Sequence, residues 1–312
     1  MSDNVHSQSQ FKLSFLHPRY WLLWFGVSLL WLTVTLLPYR ALVKLGGGIG
    51  LLLMRLLKKR EKTAVRNLEL CFPEMSEQER ADILRGHAKS VGIALLETGM
   101  AWWWPTWRIQ KLVTISGIEH LEQAKKDGKG VLLFALHSFC LEIGGRLFST
   151  QAKLTGVYRP HNNAVMEHLQ VCGRNRSARL ITKRNIRAMI SALADGEAVW
   201  YTSDQDFGRS KAVFVPFFAV PDAATVVGAS ILIKGAPSDV LPYVITRNND
   251  GSGYHIELSA PLENFPSGND EQDAIYSNSI VEKGIMKAPE QYMWLHRRFK
   301  TRPNKDDPSL YK

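Results

Sequence analysis

Val131-Leu-Leu-Phe-Ala-Leu-His137-Ser-Phe-Cys-Leu-Glu142-Ile-Gly144 is the stretch on which the fold turns. Its first six residues are apolar without alternation, the pattern of a strand buried on both faces. The run ends at a histidine, and a carboxylate follows five residues later, just before glycines. Histidine is the side chain best suited to take a proton near neutral pH, and a neighbouring carboxylate can fix its tautomer. In open α/β sheets, ligands bind beyond the carboxyl ends of the strands. Position alone leaves His137 readable as an ordinary polar loop residue, so the rest of the chain has to decide.

Outward from this stretch, short apolar runs alternate with helical patterns. Strands are expected at 113–115, 129–136, 154–158, 180–181, 198–202, 240–247 and 254–259. Helices are expected at 117–126, from Leu141 onward, and at 163–174, 186–194, 225–234 and 270–287. This alternation predicts an α/β fold with a mostly parallel central sheet flanked by helices. Residues 66–99 read as helical, with a capping box of Ser76 and Glu79 marking a helix start. Trp102, Trp103, Trp104 and Trp107 then cluster. They pack in a core or line an acyl-chain or membrane-facing surface.

The N-terminus narrows the setting. Residues 20–37 carry no charge over eighteen positions, the lower end of a transmembrane helix length. Lys12 and Arg19 precede the segment; Arg40, Lys44, Arg55, Lys58, Lys59, Arg60 and Lys62 follow it. That excess predicts a single-pass anchor with the bulk of the chain in the cytoplasm. Residues 41–57 are apolar but interrupted by Lys44 and Arg55, which suits an interfacial helix; a helical hairpin is the alternative. The expected organisation is a cytoplasmic or flexible segment at 1–19, the anchor at 20–37, a basic, apolar interfacial helix at 38–65, one domain at 66–303 and a tail at 304–312.

The formal charge is +10, so anionic partners are expected. Membrane proximity accounts for part of it, and no zinc-finger or RNA-binding motif is present, which argues against nucleic acid. Cys71, Cys140 and Cys172 show no paired spacing, and dispersed His, Asp and Glu argue for no metal. Cys140 reads as a packing residue. Gly46-Gly-Gly48 lies in the apolar region and is no phosphate loop.

Three strand ends carry polar groups that could converge: His137, Arg159 within Tyr158-Arg-Pro-His-Asn-Asn163, and Asp204-Gln-Asp206 with Arg209. Arg159 can steady an oxyanion or bind phosphate, or form a salt bridge with Asp204 or Asp206. There is no Gly-x-Ser-x-Gly elbow, which disfavours a covalent serine mechanism. The economical chemistry is direct acyl transfer: His137 takes a proton from a hydroxyl, and Glu142 orients the imidazole.

Several stretches resemble the acyltransferases that finish lipid A in Gram-negative bacteria, in their lauroyl/palmitoleoyl branch. They are His17-Pro-Arg-Tyr-Trp21, Asn67-Leu-Glu-Leu-Cys-Phe-Pro73, Glu97-Thr-Gly-Met-Ala-Trp102, Tyr158-Arg-Pro160 and the long run from Ala288 to Pro303. The resemblance spans about residues 12–303. It implies a glycerolipid-acyltransferase-like fold in the inner membrane. The reaction it implies is transfer of an acyl chain from acyl carrier protein to a hydroxyl on the Kdo-bearing tetraacyl lipid A precursor, with no cofactor. By position it makes His137 and Glu142 the catalytic pair and Arg159 an oxyanion or substrate contact; Asp204 and Asp206, from the converging strand ends, are expected at the substrate site. The chain departs from the family pattern at Ser138, where phenylalanine follows the histidine, and at Ser203, where proline stands. Acylation of a phospholipid or glycerol phosphate by the same chemistry, and a non-catalytic membrane scaffold, are the competing functions.

Overall fold

The computed structural model describes residues 10–210 and 212–311. Its strands are β1 (Val113–Ser116), β2 (Gly130–Ala135), β3 (Leu154–Tyr158), β4 (Ala178–Thr182), β5 (Ala198–Thr202), β6 (Ala212–Phe217), β7 (Val220–Val226), β8 (Ser238–Arg247) and β9 (Tyr254–Leu258). Every residue of β2 is buried, because β2 lies mid-sheet between β8 and β5. Seven strands form one sheet in the order β1-β9-β8-β2-β5-β3-β4. All neighbours are parallel except β8 and β9. The expected α/β architecture is therefore the observed one.

The helices Leu141–Phe148, Ala164–Arg174 and Ile186–Ala194 connect β2 to β3, β3 to β4 and β4 to β5. These crossovers bring the carboxyl ends of β2, β3 and β5 to one edge. The hairpin β6–β7 forms a separate antiparallel pair. It was not foreseen, and Thr225, expected to begin a helix, lies in β7; the helix starts only at Gly228. The hairpin is defined by long-range partners: Asn278 Nδ2 donates to Pro216 O at 2.7 Å and Arg298 Nη1 to Ala224 O at 2.6 Å.

Among the described residues, four long helices precede the sheet: α1 (Trp21–Leu36), α2 (Tyr39–Leu56), α3 (Lys58–Cys71) and α4 (Glu77–Trp103). The Ser76–Glu79 capping box starts α4, as the sequence predicts. Residues 66–99 are split between α3 and α4 rather than continuous. The stretch Pro18–Leu36 is long and apolar enough to cross a membrane, with only 6% of it buried. Trp21, Leu22, Phe25, Leu29 and Leu36 all face outward. The inner face of α1 docks on α4, where Val34 is fully buried and its carbonyl accepts from Trp104 Nε1 at 2.7 Å.

Gly46 and Gly50 of α2 serve helix packing. A Cβ on Gly92 of α4 would stand 2.2 Å from Gly46 O and 2.2 Å from Gly50 N. Only hydrogen fits between backbones that close. The opposite side of α2 exposes Leu45, Leu52 and Leu56. Its Arg40, Lys44 and Arg55 set it apart from the apolar α1.

Candidate active site

Ala135 of β2 is in register with Thr202 of β5. Two residues beyond each, His137 and Asp204 arrive side by side. His137 Nδ1 and Asp204 Oδ1 are 2.7 Å apart, and the His137 backbone N–H donates to Asp204 Oδ2 at 3.0 Å. One carboxylate thus holds both the ring and the backbone of the histidine. The other ring nitrogen, Nε2, lies 3.3 Å from Thr202 Oγ1. Burial pushes the Asp204 carboxyl up, but the facing His137 and its hydrogen bonds outweigh this and hold it below the ordinary carboxylate value. The Asp204 side chain is fully buried, whereas that of His137 keeps 20% exposure. With Nδ1 committed to Asp204, Nε2 is the ring nitrogen left on the Thr202 side.

Glu142 takes a different place from the one expected. It lies in the first turn of Leu141–Phe148 and accepts from Trp102 Nε1 at 2.7 Å. Arg174, the last residue of Ala164–Arg174, donates to it through Nε at 2.9 and 3.1 Å and through Nη2 at 2.5 Å. Burial lowers the Arg174 pKa and the Glu142 charge more than reverses that, so the guanidinium is held firmly protonated. The expectation that Glu142 orients His137 is corrected: Asp204 makes that contact, because β5 is the neighbour of β2. The five-residue step to Glu142 leads instead onto a helix that faces α4 and the end of Ala164–Arg174.

Both groups line one cavity of about 300 Å³. Its polar lining includes His137, Thr202, Arg159 and the Glu142–Arg174 pair; its apolar lining includes Ala101, Leu154, Leu180 and Trp200. Arg159 is exposed and, among the described residues, forms no ion pair, so the expected alternative of a bridge to Asp204 or Asp206 is not what the structure shows.

Asp206 does not line the cavity. Its carboxylate accepts from Thr301 N and Oγ1, each at 2.8 Å, and from Gly208 N at 2.8 Å. These bonds tie the loop after β5, with the expected substrate residue Asp206, to the C-terminal segment. That segment also secures the histidine loop: Met293 N donates to His137 O at 3.0 Å and Phe139 N to Gln291 O at 2.8 Å. Asn67 Nδ2 in turn donates to Trp294 O and His296 O. Cys140 is fully buried against Gln291, and burial pushes its thiol up to about 12, as befits a packing residue.

Sequence reading did not single out Thr202 or Arg174. Thr202 carried a usable signal, being the last residue of a strand two positions before Asp204. Arg174 carried none without the packing of its helix end. Trp102, foreseen as core or acyl-lining, stands in the cavity wall.

The family model of the bacterial lipid A biosynthesis acyltransferases matches residues 8–301. The chain belongs to that family. It is 46% identical over 303 residues to the lipid A biosynthesis lauroyltransferase of Escherichia coli (strain K12), covering 97% of this chain and 98% of that one. It is 45% identical over 305 residues to the palmitoleoyltransferase of the same organism, covering 97% and 99%. A lipid A biosynthesis acyltransferase of Haemophilus influenzae is 45% identical over 306 residues, covering 97% of each chain. In this acyltransferase the motif histidine therefore stands at the rim of an apolar cavity, with Asp204 behind it.

Proposed function

We propose that the protein transfers a fatty acyl chain from acyl carrier protein to a hydroxyl on an acyl chain of the Kdo-bearing tetraacyl lipid A precursor, at the cytoplasmic face of the inner membrane. The observation that carries this reading is the His137–Asp204 pair at a partly apolar cavity, with Thr202 as the neighbour of His137 Nε2. Asp204 keeps the proton on Nδ1, so Nε2 is free to accept. His137 Nε2 takes the proton of the acceptor hydroxyl, whose oxygen attacks the thioester carbonyl. The tetrahedral intermediate collapses, the carbon–sulfur bond breaks, and the thiolate leaves with the proton held by the imidazolium. One ester forms for each thioester consumed.

Arg159 at the cavity mouth supplies positive charge to the oxyanion or to the anionic acceptor. Glu142 keeps the Arg174 and Trp102 side chains in the cavity wall and acts on the rate through its shape. The basic residues after α1, from Arg40 to Lys62, favour a cytoplasmic domain. Charge +10 suits both an acidic carrier and a phosphorylated glycolipid.

The test is transfer from lauroyl-, myristoyl- or palmitoleoyl-loaded carrier protein to radiolabelled precursor, using membranes with wild-type protein or His137→Ala. Transfer that requires His137 supports the reading. Transfer to lysophosphatidic acid with none to the glycolipid would move the activity to phospholipids.

A further inference from the structure

Glycine weakens the interior of a helix or a strand, so one found there usually answers a need of backbone or packing. Gly145 lies inside Leu141–Phe148 and Gly156 in the middle of β3. Neither has positive φ. A Cβ on Gly145 would meet Trp200 Cζ3 at 3.7 Å and Leu154 Cδ2 at 3.9 Å. One on Gly156 would meet Leu180 Cδ2 at 3.4 Å and Ala178 Cβ at 3.8 Å. These are ordinary contacts. Gly173, by contrast, would drive a Cβ to 2.3 Å from Trp102 Cγ. Backbone geometry and close packing therefore do not call for glycine at 145 or 156, yet both residues line the cavity. What they supply is space.

That space lies away from the reacting end. Leu154, Gly156 and Tyr158 alternate onto one face of β3, and Gly156 is in register with Leu180 on one side and Trp200 on the other. Gly156 is about 7 Å down the strand from Tyr158. Gly145 is about 4.5 Å along its helix from Glu142. Added atoms at either position would narrow the deeper cavity and leave His137, Asp204 and Thr202 untouched.

We infer that Gly145 and Gly156 set the length of the donor acyl chain, their missing side chains being the room taken by its distal carbons. This rests on the proposed transfer reaction. A donor chain needs an apolar lining beyond its reacting carbonyl, and Leu154, Leu180 and Trp200 offer one. The acceptor hydroxyl belongs to a bulky lipid and needs an open approach. Identities of 46% and 45% to a lauroyl- and a palmitoleoyltransferase do not separate the two chain lengths, whereas local room does.

The experiment uses the full-length purified protein, wild type, Gly156→Ala, Gly156→Val and Gly145→Ala. Donors are carrier protein loaded with octanoyl, decanoyl, lauroyl, myristoyl or palmitoleoyl chains. Gly156→Val is expected to lower kcat/KM for the longest donors relative to the shortest by about tenfold or more. Gly156→Ala is expected to shift the ratio less, in the same direction. Gly145→Ala is expected to do likewise with an equal or higher melting temperature, since alanine favours the helix. Equal loss for every donor, or an unchanged profile, overturns the assignment. If Gly156→Val melts early, the two alanine variants decide by the same criterion. A wild type inert with all donors refutes the reaction and this assignment with it; an active wild type whose variants keep its profile refutes the assignment alone.

Discussion

Replacing Asp204 with asparagine separates the roles of the two carboxylates at this site. Asparagine has the same shape but presents one acceptor and one donor where aspartate presents two acceptors. Aspartate here receives two hydrogen bonds, from the His137 ring at 2.7 Å and the His137 backbone N–H at 3.0 Å. If the amide oxygen keeps the backbone N–H, its NH₂ group faces Nδ1. The proton then moves to Nε2, and the base is lost. If the amide turns over, the NH₂ group opposes the backbone N–H, leaving a buried donor unpaired at a cost of about 1–3 kcal/mol. The first arrangement is expected to dominate, because it satisfies every group. A wrong tautomer costs about 10⁴-fold in kcat in enzymes that hold a histidine this way. That corresponds to about 5.5 kcal/mol of barrier. Glu142→Gln should behave differently. Glutamine can still accept from Trp102 and from Arg174 Nε, but its NH₂ group then faces Arg174 Nη2, so that hydrogen bond is lost along with the charge. The unpaired donor should cost about 1–3 kcal/mol of stability. The assay is steady-state transfer with donor and acceptor varied separately, alongside thermal melts in detergent. Asp204→Asn should lower kcat by about three to four orders of magnitude with KM little changed. Glu142→Gln should keep at least tenfold more rate than Asp204→Asn. A near-normal kcat in Asp204→Asn, with a collapse in Glu142→Gln, would refute the assignment of Asp204 as the group that positions His137.

Other expectations concern stability and the frame around the site. His87 is buried with neither ring nitrogen hydrogen-bonded among the described residues, and burial pushes its pKa down to about 4. Its unfolded value is about 6.5. The unfolded chain therefore binds the proton first, and stability present above pH ~6.5 should fall by about 3 kcal/mol as pH drops toward 4. Melts of wild type and His87→Leu between pH 5 and 7.5 check this; equal pH slopes would count against it. Gly92→Ala forces a methyl against Gly46 and Gly50 and should destabilise by at least about 1–3 kcal/mol, measured as a lowered Tm with earlier proteolysis at α2. Asn67→Ala leaves the Trp294 and His296 carbonyls without their donor and should cost about 1–3 kcal/mol. Its activity should fall too, since the same segment braces the His137 loop; an unchanged Tm would refute the clasp.

The parallel sheet was legible because its central strands β2 and β5 carry unbroken, mostly buried apolar runs, and because helix patterns separate the strands. β2 is the clearest case, with all six residues buried. The start of α4 was legible because a capping box is local. The β6–β7 hairpin was not, because its placement depends on Asn278 and Arg298, dozens of residues away. The triple glycine was legible only as something other than a phosphate loop. The reason for Gly46 lies in the backbone of α4, which no local pattern reveals.

Assigning Glu142 as the partner of His137 shows where spacing ceases to be a guide. Five residues in sequence is short, but here the chain leaves a strand and enters a helix within that distance. The helix carries Glu142 toward Trp102 and Arg174. Asp204 lies 67 residues away and is in contact, because its strand is paired with β2 and both side chains stand two residues past the same rung. In a parallel sheet, equal offsets beyond registered strand ends place residues together whatever their distance along the chain. The decisive unknown was thus the strand order. Pairing β5 with β2, before β3, is a global property set by crossovers that cover both faces. Asp206 makes the same point from the other side. Two residues beyond Asp204 it faces the C-terminal segment instead, and Thr301 accounts for two of its hydrogen bonds. A polar triplet at a strand end can therefore divide its labour, one residue serving the histidine and the next but one holding the loop that presents it.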